Sequence, residues 1–87
     1  MMKKKPKAVA LKYEKEKDAA PRVVAKGRGS VAEKIIETAR VHNVPLHEDK
    51  NLVEVLETLD LETEIPQELY RAVAEVLAFI YRLNGKM

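Results

Sequence analysis

The sequence predicts an α/β fold in which a small mixed β-sheet of about three strands packs with three helices. Three observations carry this reading. Two short β-branched segments lie near the N-terminal end, three stretches with apolar residues at helical spacing follow, and Gly or Pro stands at the joints. Eighty-seven residues make at most one domain, so a single compact core must supply nearly all of its stability.

Taken in order, residues 1–7 carry four Lys and no acid, and are expected to form a basic, disordered arm ahead of a domain spanning 8–87. Ala8-Val9-Ala10-Leu11-Lys12-Tyr13 and Arg22-Val23-Val24-Ala25-Lys26 read as strands. Between them, the charged run from Glu14 to Asp18 cannot enter a core and Pro21 cannot donate to a ladder, which predicts a hairpin-type link and antiparallel pairing. Gly27-Arg28-Gly29 breaks the second strand. Ser30-Val31-Ala32-Glu33 then has the form of a capping box, and Val31, Ile35 and Ala39, with Ala32 and Ile36 beside them, give a helical stripe that ends at Asn43 and Pro45.

Val44 to His47 reads as a third, short strand, parallel to the second through a right-handed helical crossover. Asn51-Leu52-Val53-Glu54 has the form of a second capping box, opening a short helix that buries Leu52, Val55, Leu56 and Leu59. Pro66 opens the longest helix, whose stripe of Leu69, Val73, Val76, Leu77, Ile80 and Leu83 runs until Gly85.

Composition narrows the function. The chain has no Cys, which excludes disulfides, Cys-based zinc sites and thiol catalysis and fits a reducing cytoplasm. No stretch approaches the roughly 18 apolar residues of a membrane span, and the basic start lacks the apolar run of a signal peptide. Outside residues 1–7, 12 basic residues face 14 acidic ones, so the body is no basic platform for nucleic acid.

The residues that could carry chemistry favour binding over catalysis. His42 and His47 flank the Asn43-Val44-Pro45 break and lack the same-face spacing of a helical metal site. The carboxylates are dispersed over predicted solvent faces and caps, so no acid–base pair emerges. Gly27-Arg28-Gly29-Ser30 stands between a strand and a helix but lacks the longer Gly-rich loop and Lys of a nucleotide site, and reads as a turn and cap. No cofactor is expected. Ala19-Ala20-Pro21, in a turn expected to be exposed, and Ala72, Ala74 and Ala78 on the long helix have two readings: a shallow apolar patch for a short peptide, or close helix packing.

Three blocks bear a resemblance to the cytoplasmic domain of the FlhB family of type III secretion export-gate proteins. They are residues 8–13, Ala20-Pro21-Arg22-Val23-Val24-Ala25-Lys26-Gly27, and residues 65–78 beginning Ile65-Pro66-Gln67-Glu68-Leu69-Tyr70. Their order and approximate spacing match as well. The resemblance implies that fold without its first strand, and leaves a sheet edge open to a partner or a second copy. It implies a docking patch for export substrates at Ala20, Pro21, Ala74 and Leu77. The family cuts itself at an Asn-Pro-Thr-His loop; here Lys3-Lys4-Lys5-Pro6-Lys7 stands in the corresponding positions, and Lys cannot form the succinimide, so self-cleavage is expected to be absent. The chain begins about where the family's released C-terminal fragment begins, and so resembles that fragment supplied as a separate polypeptide. Lys50-Asn51-Leu52-Val53-Glu54 departs from the family's Pro-Pro-Leu-Ala-Arg, putting an acid at a basic position.

The expectation is a non-enzymatic, cytoplasmic accessory of flagellar export, free or associated with the flagellar basal body, whose partners are rod- or hook-type substrates and export-apparatus proteins. The competing reading is nucleic-acid or membrane-surface binding by the Lys arm, which predicts affinity that falls steeply with salt.

Overall fold

The computed structural model describes residues 5–14 and 16–84, with side-chain environments through Ile80. Strand β1 (Lys7–Lys12) and strand β2 (Arg22–Arg28) pair antiparallel, as the charged link between them requires. That link is organised by Asp18: its Oδ2 accepts from the Glu14 N–H at 2.9 Å, and its Oδ1 accepts from the Arg22 guanidinium at 3.1 Å. The register runs Ala8↔Gly27 and Ala10↔Ala25, then shifts to Leu11↔Val23, leaving Val24 as a bulge residue.

Strand alternation gives the two sheet faces different jobs. Ala8 and Ala10, opposite Gly27 and Ala25, make a face of small residues on which helix α1 (Ser30–Val41) lies, with Ala32 fully buried. A Cβ built on Gly27 would stand 2.2 Å from Val31 Cγ1, so glycine is what permits this approach. Val9, Leu11 and Val23 point to the opposite face. There the core gathers Ala20, Leu56, Ile65 and Val73, with Leu52, Leu59, Leu69 and Leu77 packed around them.

The predicted third strand is not formed. Val44 and Leu46 are about half exposed, at 52% and 48%, and residues 44–49 are irregular. The cause lies at the end of α1, where Asn43 takes a positive φ of 60° and the Val44 N–H donates to Ala39 O at 2.8 Å, closing a Schellman turn that sends the chain away from the sheet. The strand-like role passes to residues 62–65. Val23 N–H donates to Thr63 O, Glu62 N–H to Val23 O and Ile65 N–H to Pro21 O, so this segment pairs antiparallel beside the start of β2. The sheet proper is two-stranded and antiparallel rather than mixed, and the parallel crossover is replaced accordingly.

Both predicted capping boxes are displaced. Gly29, with φ 61°, is the N-cap of α1 and leaves Ser30 inside the helix with no side-chain cap. Helix α2 (Lys50–Leu56) is capped by Asp49, whose carboxylate accepts from the Leu52 N–H at 3.1 Å. Of its predicted stripe, Leu52, Leu56 and Leu59 reach the core while Val55 is exposed. Pro66 leads into one 3-10 turn (Gln67–Leu69) that continues as helix α3 (Tyr70–Asn84). Val73 is buried in its stripe and Leu69, Val76, Leu77 and Ile80 are half-buried; the Leu83 side chain and Gly85 lie outside the described residues. The expected arm is shorter at its inner end, because Pro6 O accepts from the Gly29 N–H and Lys7 begins β1, while residues 1–4 lie outside the described residues.

Candidate docking surface

The four residues singled out for docking do not share one environment. Ala20 is 2% exposed and belongs to the core cluster with Val73, and Pro21 is buried beside it with its carbonyl bonded to the Ile65 N–H. The turn that carries them is therefore not exposed at Ala20 and Pro21, because the segment 62–65 closes over the start of β2. Only Ala19 of that trio is exposed. On α3, Ala74 faces solvent, and Leu77 is half-buried with its inner side against the core that contains Ala20. The structure thus joins Ala20 and Leu77 through the core and leaves Ala74 and Ala78, one turn apart, exposed on the helix surface. The alanines divide between the two readings: Ala20 serves packing, Ala74 and Ala78 remain available.

An ionic cluster ties the sheet to the end of α2. Arg28 makes a two-pronged contact with Glu57, at 3.1 and 3.0 Å, and Lys7 Nζ stands 3.4 Å from Glu57 and 3.5 Å from Glu54. The hydrogen bond from Arg28, with the positive charges of Arg28 and Lys7, holds the Glu57 carboxyl below the usual carboxylate range, and the same bond raises Arg28. Lys26 Nζ donates to the carbonyls of Glu57, at 3.1 Å, and Leu59, capping the end of α2. This arrangement occupies the turn weighed as a phosphate loop: Arg28 is paired and the Gly29 amide is bonded to Pro6 O.

The two imidazoles have different neighbours. His42 Nδ1 lies 3.0 Å from Thr38 O at the end of α1, and His47 meets Phe79 edge-on with ring centroids 5.7 Å apart. No cluster of three or more metal-ligating side chains occurs among the described residues. No described helix is long and apolar enough to cross a membrane.

Two residues outside the sequence-based candidates organise this geometry. Asp18 could have been found, since an acid four residues before Arg22 in a Pro-containing turn is a local signal. Lys26 could not, because its partners lie 31 and 33 residues away.

Residues 6–80 match the model of the FlhB HrpN YscU SpaS family. The chain belongs to that family. The protein YlqH of Bacillus subtilis (strain 168) is 50% identical over 78 residues, covering 90% of this chain and 84% of YlqH. The flagellar biosynthetic protein FlhB of Aquifex aeolicus is 43% identical over 74 residues, covering 84% of this chain but 21% of its own length. The chain therefore spans about a fifth of the FlhB proteins it matches. The crystal structure of the cytoplasmic domain of FlhB from Shewanella putrefaciens superposes with a TM-score of 0.84 at 42% identity, over 90% of this chain and 61% of that one. The PscU C-terminal domain, at 24% identity, TM-score 0.81 and coverage of 85% and 95%, shares the fold.

Proposed function

We propose that this FlhB-family domain is a non-enzymatic accessory component of flagellar type III protein export, acting in the cytoplasm or at the basal body. It binds segments of rod- or hook-type export substrates, or the export apparatus, through the exposed part of the Ala74 and Leu77 face of α3. The match of residues 6–80 to the export-gate family carries the reading, and the exposure of Ala74 beside half-buried Leu77 supplies a place for contact. Ala20 and Pro21 act from below, setting the position of Leu77 and the adjacent turn rather than touching the partner.

This division makes the test specific. Ala74→Asp places a charge on a solvent-exposed helical position, so the fold persists while capture of purified rod or hook subunits by the immobilised chain falls at least fivefold. Unchanged capture by a folded Ala74→Asp protein removes this face from the mechanism. A substitution at Ala20 would be uninformative for docking, because enlarging a residue in a packed core costs about 1–3 kcal/mol by itself.

A further inference from the structure

One carboxylate holds the turn between the strands. The N–H groups of Lys17 and Asp18 both donate to Glu14 O, at 2.9 and 2.7 Å. The Asp18 side chain, only 8% exposed, answers in the other direction: its Oδ2 accepts from the Glu14 N–H and its Oδ1 from the Arg22 guanidinium. Ala19, Ala20 and Pro21 are thereby clipped between the two members of a charge-assisted hydrogen bond.

Arg22 depends on this bond. Its Nε is buried with no hydrogen-bond partner among the described residues and lies 3.7 Å from Glu62 Oε1, so Asp18 supplies the hydrogen bond that orients the guanidinium. The Arg22 backbone stands opposite Glu64, flanked by the bonds from Val23 N–H to Thr63 O and from Ile65 N–H to Pro21 O. Side chain and backbone together keep Ala20 in the core, 2% exposed, in the cluster against which Leu77 packs. No hydrogen bond joins Asp18 to α3 among the described residues; its route to Leu77 runs through Ala20.

We propose that Asp18 is a positioning residue of the docking face: by holding Arg22 it fixes Ala20 beneath Leu77, and so sets the placement of Leu77 beside Ala74 that a partner segment meets. The inference rests on the docking role of the Ala74 and Leu77 face given above. A carboxylate suits the task because both of its oxygens accept at once. Asn in its place offers one oxygen and an amide that donates, so it keeps one of the two bonds, and Ala keeps neither. The chain stays folded in either case, because Glu14 is exposed and water replaces its lost acceptor.

The test uses the full chain, labelled with 15N, and purified hook subunit. Without the partner, Asp18→Ala moves the amide signals of Ala20, Leu77 and Ala74 while those of α1 stay in place. With the partner, Asp18→Ala weakens binding about fivefold, the size of effect one hydrogen bond gives, and Asp18→Asn falls between it and the unaltered chain. Lys26→Met, which removes bonds at the end of α2, is the control for stability alone and leaves binding unchanged. The proposal is overturned if Asp18→Ala binds as the unaltered chain does while Ala74→Asp does not bind, a result that leaves the docking face standing without its positioning residue. Equal weakening by Lys26→Met overturns it too, because lost stability would then explain the effect. Unchanged binding by Ala74→Asp removes the docking face itself, and the positioning role with it, so the two failures are read separately.

Discussion

At the scale of single residues, Lys26 shows how a strand side chain can finish a helix made elsewhere in the sequence. Its ammonium donates to two carbonyls at the end of α2 that have no partner within the helix. Lys26→Met keeps the stem and removes these bonds, and is expected to lower stability by about 1–2 kcal/mol, seen as a reduced urea midpoint with an unchanged m-value. Asn43 works by backbone instead, its positive φ closing α1 and ejecting Val44 from the sheet. Both residues act through geometry that composition does not reveal.

At the scale of elements, the decisive packing is α1 against the face of Ala8, Ala10, Ala25 and Gly27. Small residues bring a helix axis close to a sheet, and Gly27 marks the tightest point. Gly27→Ala forces its new methyl into Val31, both of whose nearest atoms lie under 3 Å. The expected loss is about 1–3 kcal/mol, and Val31→Ala in the same chain should recover most of it, because Val31 is half exposed and its truncation leaves no buried cavity. Thermal unfolding of the two single variants and the double variant checks this. If the double variant is as unstable as the sum of the singles, the close approach is not the reason for glycine.

At the scale of the whole molecule, the sheet is held to the helical side by one apolar core and one ionic cluster centred on Glu57. The Glu57 carboxyl titrates below its ordinary range because Arg28 and Lys7 stabilise the charged form. A group whose folded value is depressed contributes stability that is fully present above its unfolded value and is lost as pH falls through the folded one. Stability is therefore expected to decline below the usual carboxylate range, and Glu57→Gln should flatten that acid limb while lowering stability at neutral pH. Melting curves between neutral pH and pH 3 measure both effects. An acid limb unchanged by the substitution would show that Glu57 is not its source.

The sequence by itself determined the hairpin, the three helices and the family, because these rest on local signals: β-branched runs, helical stripes, Pro66, and blocks of residues in a fixed order. It also named Leu77 and Ala74 by resemblance. Only the tertiary structure decided that Ala20 and Pro21 are buried, that residues 62–65 rather than 44–47 lie beside β2, and that Asp49 and Gly29 are the helix caps. The reason is range. Whether a turn is open or covered, and which extended segment finds a strand to pair with, depends on chain arriving from some 40 residues away, as Glu64 does at Arg22, and no local pattern in the sequence records that arrival.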